Sequence, residues 1–191
     1  PMNAVIGLTD LTGMMEGVPP EVQENLSKLR TASHYMLDLI NNILDMSRID
    51  SGKLSLAKEP FSLESILDGI RMMMESEAQR KGLIFTLEKN LVHSGLVGDG
   101  IRLRQVLINL LSNAFKFTPA GGNVYLRVTE EGGTEEEASF TFRVIDTGTG
   151  ITPEDQKRIF ESFEQVGTSY SKSQGTGLGL AISRSIVRKM G

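Results

Sequence analysis

The sequence has no cysteine, and its 191 residues include only two histidines and six prolines. Without thiols there is no disulfide, no thiolate metal ligand and no cysteine nucleophile. The two histidines, His34 and His93, stand far apart with no clustered ligands beside them, which gives a zinc site no pattern to build on. There is no excess of base either. A formal charge of −4 and a pI near 5.3 argue against a nucleic-acid partner or a general anionic-membrane surface, leaving room only for a local basic site. Long apolar runs are missing as well: "VLINLL" falls far short of the roughly 20 residues that a bilayer requires, so no membrane span or signal peptide is legible. With 39% hydrophobic and 23% charged residues, the composition suits a soluble globular protein of one or two domains.

Two long helical patterns come first. Met2, Val5, Leu8, Leu11 and Met15 line one side of a helix over 2–16, which "EGVPP" breaks. From Glu21 to about Arg48, Leu26, Leu29, Met36, Ile40 and Ile43 form a broad apolar stripe. A hairpin of two such helices cannot cover both stripes alone, so a homodimer forming a four-helix bundle is expected. Polar, proline-bearing residues 50–66 mark a domain boundary, which divides the chain into 1–55 and 56–191.

Beyond the boundary a helix over 62–81, with Ser62 as its N-cap, leads to a strand at 83–88. A helix opens near Asp99. "NVYLRVTE" and "SFTFRVID" read as strands flanking an acidic turn at 131–138, with Glu135 to Glu137 at a solvated tip. "EDQKRIFESF" reads as a short helix, "EQVGTSYSKSQ" as a polar lid, and a last helix starts near Leu178. Antiparallel strand pairs with interspersed helices predict an α+β class: a helical hairpin followed by an α/β sandwich, not a doubly wound sheet.

Three segments carry chemistry. In "IRLRQVLINLLSNAFKF" (101–117), apolar residues recur at helical spacing, yet Gln105, Asn109, Asn113 and Lys116 form one polar seam. A buried amide without partners costs about 1–3 kcal/mol, so the seam is either satisfied by other protein groups or faces a ligand. "VIDTGTGI" puts Asp146 at the end of an apolar strand, ahead of Gly148, Gly150 and Ile151. A carboxylate there can accept the exocyclic amine of adenine while glycines admit a flat ring, although a tight turn alone would use the same residues. "GTGLGL" sets Gly175, Gly177 and Gly179, with Thr176, Leu178 and Leu180, just before a helix, where free N–H groups suit phosphate oxygens. Its spacing is neither a dinucleotide-binding fingerprint nor a P-loop. Combined, the three describe an adenine nucleotide site for ATP. Asn113 would offer an amide oxygen to Mg²⁺, and Lys116 would act as a point charge near the phosphates.

Taken together these motifs resemble the sensor histidine kinases. "RLRQVLINLLSNAFKFT" is similar to the N box of that family, "DTGTG" to its G1 box, "IFESFEQV" to its F box and "GTGLGL" to its G2 box, in the family's order. "PMNAVIG" and "HYMLDLINNILDMSRIDSGKL" resemble its dimerisation and phosphotransfer helices. The resemblance implies a GHKL-type ATP-binding domain in which Asn113 holds Mg²⁺, Asn109 and Lys116 line the phosphates, and Asp146 reads the adenine amine. Gly148 and Gly150 would flank the base. Phe160 and Phe163 would pack near a lid at 164–174, although an aromatic pair at this spacing on a short helix ordinarily belongs to a core. Gly175, Gly177 and Gly179 would hinge the lid. A second glycine is common before the threonine of the G2 box, where this chain has "QGTGLGL".

Related ATPases carry a glutamate base where this chain has Asn109, whose amide cannot act as one, so transfer of the γ-phosphoryl group is favoured over hydrolysis. The family's phosphorylated histidine lies five residues before the proline matching Pro1, outside this chain. The family often has a non-catalytic histidine where His34 falls, and His93 matches no motif. The chain also stops at Gly191 before the family's closing strand, so both domains are expected to be truncated. The implied partners are a second copy and a response-regulator receiver domain. The implied location is cytoplasmic, with any membrane contact through upstream segments. A pseudokinase scaffold and a protein serine kinase of the mitochondrial type are the competing readings.

Overall fold

The computed structural model describes residues 2–134, 137–164 and 176–191. Pro1, Glu135, Glu136 and 165–175 lie outside the described residues, and with them Gly175, most of the expected lid and two acids of the expected loop tip. The chain divides into two compact units, Pro1–Leu54 and Ser55–Gly191.

In the first unit α1 (Met2–Gly13) packs on α2 (Pro20–Asp50). The first helix is shorter than its periodicity suggested. It gives way at Met14 and Met15 to a turn that passes through Gly17 at φ 79°. Pro20 opens α2 at a position where the missing N–H leaves no intrahelical bond unmade. Arg30 reaches Asp10 at 3.4 Å across the hairpin. Within this unit Leu8, Leu11, Leu29 and Met36 stay exposed, as half of a core would.

The second unit holds α3 (Leu63–Lys81), α4 (Gly100–Phe117) and a three-stranded sheet of β2 (Ile84–Asn90), β4 (Asn123–Gly133) and β5 (Ala138–Asp146). Ser62 caps α3 by accepting from the Ser65 N–H at 3.1 Å, and Gly82 ends the helix in the left-handed region at φ 66°. One face of each element makes the core. Leu63, Leu67 and Ile70 of α3, Leu107, Leu111 and Phe115 of α4, and Val124, Leu126 and Val128 of β4 interlock there. The alternation along β4 sends Arg127 to the other face, where it pairs with Glu88.

In this unit, too, the structure departs from the sequence reading. The strands are not all antiparallel: β2 runs parallel to β4, because α4 intervenes and returns the chain to the same end of the sheet. Two four-residue strands, β1 (Glu59–Ser62) and β3 (Gly95–Gly98), form a separate antiparallel pair, too short to show a two-residue period. The helix expected at 154–163 is only α5 (Pro153–Gln156), followed by turns to Phe163. The last helix, α6 (Gly179–Met190), packs on α4 and buries Ala181, Ile182 and Ile186. No helix among the described residues is long and apolar enough to cross a membrane.

Candidate nucleotide site

Asp99 fixes where α4 begins. Its Oδ1 accepts the Arg102 N–H at 2.9 Å and its Oδ2 the Ala57 N–H at 3.0 Å. From that start the 3.6-residue period buries Val106, Leu107, Leu111, Ala114 and Phe115, and leaves Gln105, Asn109, Asn113 and Lys116 half-buried.

The two asparagines of the seam differ. Asn109 Nδ2 donates to Ser183 Oγ on α6 at 2.9 Å, so one of its amide N–H groups is taken by protein. Asn113, one turn further on, has no side-chain hydrogen bond among the described residues. Lys116 lies in the last turn of α4, its Nζ 4.9 Å from the centre of the Phe117 ring, and burial holds its pKa below the ordinary lysine value.

The turn after β5 docks on the end of α4. Asp146, paired with Val124 in the sheet, accepts the Gly148 N–H on Oδ1 at 2.8 Å. Asp146 is exposed, and its carboxylate keeps lone pairs for a further donor. A Cβ on Gly148 would lie 2.6 Å from the Phe117 carbonyl oxygen, so only glycine lets the turn come this close, and Thr149 N donates to that same oxygen at 3.3 Å. Thr147 Oγ1 accepts from Asn123 N at 2.9 Å and ties the turn to the start of β4. Gly150 has φ 70°, and Ile151 beside it is exposed.

The start of α6 stands against Asn109 of α4. Thr176 Oγ1 accepts from Leu178 N at 3.2 Å, Leu178 is buried and Leu180 half-buried. Gly179 faces Asn109 so closely that a Cβ there would overlap the amide oxygen. Phe163 and Phe160 are not core residues: Phe163 is 68% exposed, and Phe160 lies under the Arg184 guanidinium at 5.7 Å. The turns carrying them are held instead by Arg158, whose Nη2 reaches both carboxylate oxygens of Glu164 at 2.8 and 2.7 Å.

The structure thus gathers Asn109, Asn113 and Lys116 on α4 with the Asp146 turn at the end of that helix and the Gly177–Leu180 stretch beside Asn109. The sequence reading missed Ser183 and the Phe117 carbonyl. A backbone oxygen leaves no sequence signal; Ser183 did, as a polar residue on the helical face shared by Gly179, Ile182 and Ile186. His34 is exposed on α2. His93 joins a separate cluster, where the Glu130 carboxylate accepts Val92 N at 2.7 Å and His93 N at 2.9 Å and meets His93 Nδ1 at 2.6 Å.

The donor set suits a metal carried by a ligand's phosphates. Among the described residues no group of three or more acids or histidines could hold a cation by itself, while Asn113 offers an unpaired amide oxygen.

Residues 98–191, which hold Asn109, Asn113, Lys116, the Asp146 turn and the start of α6, match the family model described as "Histidine kinase-, DNA gyrase B-, and HSP90-like ATPase", and residues 1–52 match the "His Kinase A (phospho-acceptor) domain". A helical phospho-acceptor domain followed by this ATPase-type domain defines a class, and the chain belongs to it, the sensor histidine kinases. Along its whole length it is 37% identical to the signal transduction histidine-protein kinase BarA of Escherichia coli K12 and 35% identical to the sensory/regulatory protein RpfC of Xanthomonas campestris. It spans 21% of the first and 26% of the second. Full-length ShkA, solved in complex with AMPPNP, superposes with a TM-score of 0.74 at 30% identity, over 100% of this chain and 38% of that one. The Acinetobacter baumannii histidine kinase AdeS shares the fold, with a TM-score of 0.62 at 22% identity over 98% of this chain and 83% of that chain.

Proposed function

We propose that this chain is the ATP-binding and dimerising core of a protein-histidine kinase, which passes the γ-phosphoryl group of Mg-ATP to a histidine on the same family-type helix, upstream of Pro1, and from there to a receiver-domain aspartate. The observation that carries this reading is the split between the two amides of α4. Asn109 gives one N–H to Ser183, whereas Asn113 keeps a half-buried carboxamide with no partner among the described residues, on the same helix as Lys116, whose end meets the Asp146 turn. When bound, Mg²⁺ would bridge phosphate oxygens and neutralise charge there. Asn113 would orient that cluster, Lys116 would add a cation, Asp146 would accept the adenine amine, and the N–H groups opening α6 would face phosphate. Guanine, which offers a carbonyl at that ring position, would set acceptor against acceptor.

AMPPNP bound to ShkA is in line with an adenine nucleotide here. No carboxylate stands at position 109 to activate water, which favours transfer to a side chain over hydrolysis. The exposed apolar residues of α1 and α2 support dimerisation through the hairpin, and ATP supply favours a cytoplasmic setting. The test uses the chain extended upstream to include the histidine. Incubation with Mg-ATP is expected to give acid-labile phosphohistidine that is lost in Asp146→Ala. Phosphoserine, or equal labelling in that variant, would overturn the reading.

A further inference from the structure

We infer that Ser183 is a positioning residue of the nucleotide cleft, acting through Asn109; this rests on the nucleotide reading above. Its hydroxyl sits on the buried face of α6, only 5% exposed and flanked by Ile182 and Ile186, where a polar group needs a partner. That partner is the Asn109 amide on α4, at 2.9 Å.

A second residue of α6 is shaped around the same side chain. Gly179, four positions earlier and so on the same helical face, has no Cβ. A Cβ there would overlap Asn109 Oδ1 and lie 2.9 Å from Cγ and 3.1 Å from Nδ2. Glycine makes room for the carboxamide and serine takes its N–H. Nδ2 donates to Ser183 Oγ while Oδ1 lies against Gly179 at the start of α6, so both ends of the carboxamide are packed against that helix.

The bond joins two elements that would meet the ligand at different points. Asn113 lies one turn beyond Asn109 on α4, and the free N–H groups that would face phosphate open α6. Their separation is set where Asn109 meets Ser183. Removing the hydroxyl frees the amide to rotate and loosens the start of α6, while Asn113, Lys116, Asp146 and the N–H groups opening α6 stay chemically unchanged.

The experiment compares the parent chain with Ser183→Ala, Ser183→Cys, Asn109→Ala, the double variant that combines Ser183→Ala with Asn109→Ala, and Asn113→Ala. Mg-AMPPNP binding is measured by calorimetry, and exchange of the Asn109 side-chain NH₂ by NMR without nucleotide. Ser183→Ala is expected to bind roughly three- to tenfold more weakly, with faster Asn109 side-chain exchange. The double variant should bind no more weakly than Asn109→Ala. Ser183→Cys, of similar size but a weaker partner, should fall between and answers the question if the alanine variant does not fold. Parent-like affinity and exchange in Ser183→Ala or Ser183→Cys, or additive losses in the double variant, would overturn the inference. Parent-like binding by Asn113→Ala would instead sink the nucleotide reading, leaving the exchange measurement to judge the Asn109 lock by itself.

Discussion

Phe163 N donates to Gly177 O at 3.0 Å, and both residues hold left-handed backbone, at φ 65° and 71°. Phe163 is the only non-glycine with positive φ among the described residues, and a Cβ on Gly177 would lie 2.8 Å from its carbonyl carbon. Gly177→Ala therefore combines left-handed strain with overlap against backbone. A loss of about 1–3 kcal/mol in urea unfolding is expected. Gly69→Ala, in the middle of α3 with open space around its Cβ, should instead hold or gain up to about 1 kcal/mol. Equal stability of the two variants would refute this account of Gly177.

The split between the two asparagines predicts different outcomes for their alanine variants. Asn113→Ala removes no protein hydrogen bond among the described residues, so its melting temperature without nucleotide should stay near that of the parent while Mg-ATP binding is lost. Asn109→Ala leaves the buried Ser183 hydroxyl unpaired and should cost roughly 1–3 kcal/mol even without nucleotide. Thermal melts with and without Mg-ATP decide it.

Lys116 is held below its ordinary pKa of 10.5 by burial. The folded state therefore disfavours the charged form, so burial of the Lys116 charge costs stability at neutral pH, a penalty that fades as pH rises through the lowered pKa and is gone above 10.5. Lys116→Met should raise the neutral-pH melting temperature of the nucleotide-free protein and weaken triphosphate binding more than adenosine binding. In the parent, triphosphate affinity should fall as pH rises through the lowered pKa. Calorimetry with ATP and adenosine across pH 7 to about 10 would show a flat profile if Lys116 is not near the phosphates.

Glu130 has its carboxyl held below the usual value of 4.5, chiefly by the hydrogen bond from the His93 backbone. A depressed carboxylate pKa gives stability that is present above pH 4.5 and lost as pH falls through the lower folded value. Glu130→Gln should therefore melt lower at neutral pH and lose less stability on acidification. If the acid limbs of parent and variant run parallel, the carboxylate does not hold residues 92 and 93.

Much of the site was legible because it depends on short-range periodicity. The seam at 105, 109, 113 and 116 follows from helical spacing alone, and Asp146 and Gly148 from an apolar strand running into a glycine turn. Ser62 announced α3 as a cap does, whereas the capping role of Asp99 at α4 emerged only in the structure. The short strands β1 and β3 were not legible, since four residues show no usable period and their pairing joins positions more than thirty residues apart. Nor was the early end of α5: the "EDQKRIFESF" pattern reads as helix, but the chain turns from Lys157 onward, and Phe163 takes positive φ with its N–H on Gly177 O.

The sequence by itself determined which side chains share a helix face, where helices start, and that amides sit in an otherwise apolar helix, because these follow from local backbone geometry. Which of the two asparagines is spent on the protein was decided only by tertiary structure. That depends on α6 lying against α4, with Gly179 leaving room and Ser183 accepting a hydrogen bond, a relation between residues 74 apart that no local pattern encodes. The parallel pairing of β2 with β4 is of the same kind, set by how a crossover packs and not by the pattern within either strand.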